Sequence, residues 1–364
     1  VTGVEWLALG IKVLGAFGLL LLATLLNVWV ERKVLADMQN RLGPMRAGPF
    51  GVLQTVADGL KLFFKESIMP RKAEVGMYLL APFLAVVPAF LIFVNIPWGG
   101  SFHIGETEVV LQGADLDIGL LFILAMSSIA VYAVVLAGWS SGSKYPLLGG
   151  VRATAQAISY EAAIGLSLVS VVVFTATQGD GGTLSLYEIV QRQSGTWADV
   201  HPIVGWVPRW NIIPQIAAFV IFLTAAVAET NRAPFDLVEA EQELVGGFHT
   251  EYSGMRFAMF FLAEYVNIFS MSALTATLFL GGWLGPTWEG TLPAFISGAL
   301  PTVWFLIKTY AIFFIFIWIR ATLPRLRYDQ LMSLGWKRLI PGALGWLVLS
   351  GLVLAFRQFG APWG

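Results

Sequence analysis

Residues 118–139 read IGLLFILAMSSIAVYAVVLAGW, 22 positions without an Asp, Glu, Lys, Arg or His. As a helix this stretch rises about 33 Å, enough to cross the roughly 30 Å of hydrocarbon in a bilayer. Composition favours a membrane over a soluble core: 57% of the 364 residues are hydrophobic and 12% charged, against roughly 25% charged in a soluble domain. Working outward, seven more stretches have the same character, near residues 6–30, 77–96, 155–177, 212–229, 255–283, 299–319 and 339–356. The expected fold is all-α, a polytopic membrane protein with about eight transmembrane helices. A single membrane domain should cover residues 1–364, with amphipathic interfacial helices in the cytoplasmic and outer loops. The first stretch is followed by seven others, so it reads as a retained helix and not a cleaved signal peptide. Pro82, Pro88 and Pro301 fall near helix ends or where a bundle tolerates kinks.

Several function classes are disfavoured at once. Net charge is -1, which gives no global attraction to nucleic acid. There is no Cys, which removes thiolate-held iron–sulfur clusters, Cys-type zinc sites and disulfides. His103, His201 and His249 are far apart in sequence, a poor arrangement for haem or copper. No Gly-rich phosphate loop of standard spacing occurs. No flavin, iron–sulfur cluster or metal is expected on this chain, so any nearby redox chemistry belongs to a partner or a diffusible molecule.

The basic residues set an orientation. Loops after the first, third, fifth and seventh stretches, counted with Arg256 at the edge of the sixth, hold 17 of the 22 Lys and Arg. The other side holds Arg192, Arg209 and Arg357, while Lys12 and Lys308 fall within spans. The positive-inside rule places the basic loops in the cytoplasm and both termini outside. Residues 101–117 carry four acids and neither Lys nor Arg, in keeping with an outer loop.

Residues 51–66 have two stripes at helical spacing. Val52, Val56, Leu60 and Phe63 form an apolar one, and Gln54, Asp58, Lys61 and Lys65 a polar one. Such a segment either lies in the membrane interface or lines a site closed by a partner. Four cytoplasmic segments combine turn residues, Arg and acids more densely than connection requires. The first is Glu31-Arg32-Lys33, followed by Gln39-Asn40-Arg41-Leu42-Gly43-Pro44 and Ala57-Asp58-Gly59-Leu60-Lys61. The second runs Gly138-Trp139-Ser140-Ser141-Gly142-Ser143-Lys144-Tyr145, through Arg152 to Ser159-Tyr160-Glu161. The third is Glu229-Thr230-Asn231-Arg232-Ala233-Pro234-Phe235-Asp236, then Glu239, Glu241, Glu243 and His249-Thr250-Glu251-Tyr252. The fourth runs from Arg320 through Pro324-Arg325-Leu326-Arg327-Tyr328-Asp329.

In this order and on one face, the four segments resemble the H-subunit family of proton-pumping NADH:quinone oxidoreductase, respiratory complex I. The likeness covers nearly the whole chain, with residues 178–209 lengthened. It implies a subunit at the heel of the membrane arm that forms the membrane part of the quinone chamber. It also implies the start of a proton-conducting chain toward antiporter-like subunits. The substrate would be ubiquinone or menaquinone. Partners would be soluble quinone-site and iron–sulfur subunits on the cytoplasmic face, small membrane subunits and antiporter-like subunits laterally, and membrane lipid. The location would be an energy-transducing membrane, taken as the bacterial plasma (inner) membrane.

A quinone needs an apolar way in for its tail and a few polar groups at the end. Leu53, Val56 and Phe63 are the apolar candidates, with Phe235 as an added aromatic wall. Glu31, Arg32, Arg41, Asp58, Lys61 and Arg232 are the polar candidates near the join with soluble subunits. Ion pairing with partner subunits or lipid phosphate would account equally for these Arg. The headgroup itself is expected to dock on a soluble partner.

The carboxylates carry the proton argument. Glu161 is read as one to two turns into the fourth helix and Glu229 at the cytoplasmic end of the fifth. Glu239, Glu241, Glu243 and Glu251 follow, and Glu264 lies some ten residues into the sixth. Clustered acids with no Lys among them should titrate as a coupled group, and burial favours a protonated carboxyl, as a relay requires. A solvated acidic loop is the plainer reading of Glu239, Glu241 and Glu243. Glu264 and Lys308 have similar expected depths, about 15 and 18 Å from the cytoplasmic helix ends, which permits a buried pair in the relay or a purely structural one. Two other readings are the membrane subunit of an energy-converting hydrogenase and an autonomous proton-coupled transporter. The absence of an evident inverted repeat weighs against the second, and the acid at position 264 favours a respiratory over a photosynthetic-type homologue.

Overall fold

The computed structural model describes residues 3–104, 107–176, 178, 181–196, 207–237, 244–286 and 294–359. Within them the chain is helical almost throughout. The long helices are α1 (Gly3–Met38), α3 (Val75–Val94), α4 (Gly119–Ser140), α5 (Lys144–Ala176), α8 (Gly254–Phe279) and α9 (Ala294–Thr322). Short α2 (Gln54–Phe64), α6 (Leu186–Arg192) and α7 (Ile216–Glu229) lie between them. A final run joins α10 (Tyr328–Leu334), a π-helical turn (Gly335–Leu339) and α11 (Ile340–Phe359). A small antiparallel hairpin, β1 (Ser101–Ile104) with β2 (Thr107–Val110), covers one end. Helices dominate because hydrocarbon offers the backbone no hydrogen-bond partner, so each span must satisfy itself.

Among the described residues seven helices are long and apolar enough to span a bilayer, and the eighth expected span is shorter. Helix α7 has 14 residues, about 21 Å. Residues 211–215 ahead of it turn back over the end of α8, with Ile212 N–H donating to Phe279 O at 2.9 Å and Asn211 Nδ2 to Leu278 O at 2.9 Å. These bonds satisfy carbonyls that the end of α8 would otherwise leave open.

Two boundary differences matter for function. Helix α1 runs on to Met38, so Glu31 and Arg32 stand on a rigid helix and not at its mouth. Helix α5 starts at Lys144, which puts Glu161 near its middle and not one to two turns in.

The core is formed where α5, α7 and α8 meet. Ala225, Ala226, Val227 and Ala228 of α7 are all buried, as are Val266, Phe269, Leu274 and Phe279 of α8. Small side chains on α7 let the neighbouring backbones approach, as membrane helix packing favours. Many exposed Leu, Val and Phe remain on the outer faces of α1, α3 and α11, where lipid or partner helices would cover them.

Candidate functional site

Helix α1 brings Glu31 inward with 3% of its surface exposed. Its Oε1 lies 3.1 Å from Arg232 Nη1 and also accepts from Arg320 at the end of α9. Arg232 Nε lies 3.0 Å from Glu264 Oε1 on α8, and its guanidinium stacks 4.6 Å from the centre of the Tyr265 ring. Two carboxylates thus meet two guanidinium groups, a balanced set that makes burial tolerable.

One helical step along α1, Arg32 points to the amphipathic helix. Its Nη1 donates to Asp58 Oδ2 at 2.6 Å, and Gln54 Nε2 donates to Asp58 Oδ1 at 3.2 Å. Burial pushes the Asp58 carboxyl up, but the Arg32 and Gln54 hydrogen bonds outweigh it and hold the group below its usual range. Leu53, Val56, Leu60 and Phe63 on the opposite stripe are exposed. Lys61 is also exposed, one turn from Asp58.

Behind the ionic cluster lies a cavity of about 130 Å³, lined by residues of α3, α4, α5, α7, α8 and the turn Gly247–His249. Alanines such as Ala85, Ala89, Ala130 and Ala153 leave the space, and Glu229, Glu264, Asn267, His249 and Ser127 give it polar points. At roughly 30 Å³ per molecule the volume suits a few waters with polar partners. On its α4 side, Ser128 donates to Glu161 and Ser127 Oγ lies 3.3 Å from the same carboxylate oxygen. Ser127 and Glu229 both line this cavity. Ser127 therefore stands between Glu161 and the cavity, whose wall also carries Glu229 and Glu264.

Other expected residues fall elsewhere. Lys308 is no demonstrated partner of Glu264. Its ammonium donates to the carbonyls of Leu280 at 2.7 Å, Gly282 at 3.1 Å and Leu284, and it stands 4.5 Å from the Trp210 ring centre. Equal depth of two Cα atoms ignored the long flexible stem of Lys and the pull of open carbonyls at a helix C-terminus. Phe235 is 4% exposed and packs edge-on against Tyr160, centroids 5.5 Å apart, so it belongs to the core and not to a tunnel wall. Gln156 holds it there by donating to the carbonyls of Ala228 at 2.7 Å and Phe235 at 2.9 Å. Arg41 is exposed and donates to Gln39 at 2.7 Å, away from the ionic cluster. Glu251 offers its backbone carbonyl to the Tyr78 hydroxyl at 2.8 Å. Glu239, Glu241 and Glu243 lie outside the described residues.

Sequence reasoning passed over Ser127, Ser128, Asn267 and Arg320 as site residues. The serine pair was visible as the polar interruption in the charge-free stretch, but a Ser in a membrane helix commonly bonds its own turn. Ser128 does also donate to Leu124 O, at 3.0 Å.

Seven helices long and apolar enough to cross a bilayer, with charged side chains buried among them, define an all-α polytopic membrane protein. Residues 11–351 match the family profile described as NADH dehydrogenase. The chain is 48% identical over 359 residues to the second NADH-quinone oxidoreductase H-subunit of Koribacter versatilis, covering 95% of this chain and 97% of that one. It is also similar to the NADH-quinone oxidoreductase H-subunits of Frankia casuarinae, 50% identical over 354 residues, and of Frankia alni, 49% identical over 354 residues. Each of those alignments covers 97% of this chain and 73% of the relative. The chain belongs to the H-subunit family of NADH-quinone oxidoreductase.

Proposed function

We propose that this chain is the membrane subunit that floors the quinone chamber of a proton-translocating NADH:quinone oxidoreductase and carries the first proton-conducting chain leading from it. The observation that carries the reading is the row Glu31–Arg232–Glu264, the cavity with Glu229 on its wall, and Ser127–Glu161 beside it. A carboxyl, a hydroxyl and a few waters in sequence suffice to pass protons, whereas a structural ion pair needs no cavity beside it.

Helix α2 is the proposed floor of the chamber. Leu53, Val56 and Phe63 face outward as an apolar stripe for the quinone tail, and Arg32–Asp58 fixes the helix to α1 from the other side. The headgroup is held by a soluble subunit on the cytoplasmic face, beside the iron–sulfur chain that reduces it. Small membrane subunits and antiporter-like subunits pack laterally, lipid fills the rest, and both termini face outside across a bacterial plasma membrane.

Enlarging Val56 to Trp in the assembled complex tests the chamber. Quinone reduction should fall while NADH oxidation by artificial acceptors, which take electrons upstream, stays unchanged. Unaltered quinone kinetics in a fully assembled complex would mean that the stripe faces lipid or a neighbouring helix.

A further inference from the structure

The cavity has a titratable group on its wall that the row of carboxylates does not include. The turn Gly247–His249 is laid directly on α5, for a Cβ at Gly149 would stand 2.9 Å from Gly247 Cα and from Phe248 N. That close approach sets the His249 ring at the cavity, between Phe248 with centroids 4.9 Å apart and Phe257 at 5.3 Å. The residue as a whole keeps partial accessibility while its ring sits among these aromatics. Asp236, from the segment after α7, acts on its charge, and Glu229 from α7 and Glu264 from α8 line the same cavity. Among the described residues, the walls from α3, α4 and α5 contribute no ionisable side chain, only residues such as Ala89, Ser127, Val134 and Ala157.

We propose that His249 is the proton-transfer residue that connects this cavity with the aqueous phase on its side of the protein. The inference rests on the proton-relay reading of Glu229 and Glu264. One ring nitrogen takes a proton from outside while the N–H of the other gives its proton to a cavity water or carboxylate. One proton moves, no charge stays on the ring, and tautomer exchange resets it. Burial pushes the imidazole down to about 4, with Asp236 pulling the other way. The resting ring is therefore neutral and keeps one donor and one acceptor, which an imidazolium would lack.

The test uses the assembled complex with His249→Ala and, beside it, His249→Asn and Glu229→Gln. Quinone-coupled proton pumping should fall on the order of 10²-fold in both His249 variants, with NADH oxidation by artificial acceptors unchanged. Added imidazole should restore pumping in His249→Ala, where the ring's space is open, and leave the Glu229→Gln loss untouched. Full pumping in either assembled His249 variant overturns the proposal, as does a His249→Ala loss that imidazole does not relieve, since that marks a packing role. If His249→Ala does not assemble, retained pumping in His249→Asn overturns it and lost pumping supports it. Loss in Glu229→Gln with normal His249 variants sinks this assignment alone, whereas normal pumping in all three sinks the carboxylate route as well.

Discussion

Arg232 Nη1 lies 3.1 Å from Glu31 Oε1, joining the first helix to a segment 201 positions later. The same guanidinium reaches Glu264 on α8, so three parts of the fold converge on one buried cation. Removing one member of such a set strands the others, at about 3–5 kcal/mol. Arg232→Ala should sharply lower the amount of assembled complex and its thermal midpoint. The paired change Glu31→Gln with Arg232→Met should be milder than Arg232→Ala alone. Subunit content and thermal unfolding of the purified complex provide the check, and equal damage from the single and double variants would contradict it.

The Arg32–Asp58 pair makes a different forecast about pH. Its carboxyl is held below the usual range in the folded protein. The stability it contributes is complete above the unfolded carboxyl value, near 3.9, and is lost as pH falls through the lower folded value. Asp58 therefore stays ionised from about pH 5 upward. Asp58→Asn should raise the KM for quinone by loosening α2, and by the same factor across neutral pH. A neutral-range titration of quinone KM that vanishes in Asp58→Asn would contradict this.

Lys308 is predicted to act as a cap for the α8 terminus. Lys308→Ala leaves three carbonyls without their donor, and each unsatisfied buried group costs about 1–3 kcal/mol. Yield and thermal stability should drop, while protons pumped per quinone reduced stay normal in the assembled fraction. A normal yield with a lowered pumping ratio would instead make Lys308 part of the proton route.

Orientation is open to direct labelling. Cysteine placed at Ser143 or Gln330 should react with impermeant reagents from the cytoplasmic side, and at Gly181 from the outside. The reverse pattern would invert every face assigned above.

The spans were legible because hydrocarbon imposes one simple rule on composition, which residues 118–139 obey by carrying no charged side chain. The full helix lengths were not: residues 144–154 carry Lys144, Pro146 and Arg152, read as too polar for a span, and still form the start of α5. The acids themselves could be named from their positions, but their partners could not. Whether Glu264 meets Arg232 or Lys308 depends on helix rotation and side-chain reach, and neither has a signature in one sequence. Ser127 shows the same limit, since its bond to its own helix at Leu124 and its approach to Glu161 look alike in sequence.

The central claim is that the carboxylates conduct protons as a chain, and Glu229→Gln tests it most directly. The change keeps shape and some hydrogen bonding but removes the titrating proton. Proton pumping and quinone reduction are to be measured together in vesicles, on complex whose subunit content matches the parent. The account predicts that both are largely lost in Glu229→Gln and in Glu161→Gln. Single Gln replacements of Glu239, Glu241 or Glu243 should be milder, and all three together should approach Glu229→Gln, because coupled acids substitute for one another. Parental pumping in well-assembled Glu229→Gln, Glu161→Gln and triple variants would contradict it and leave these acids a structural role.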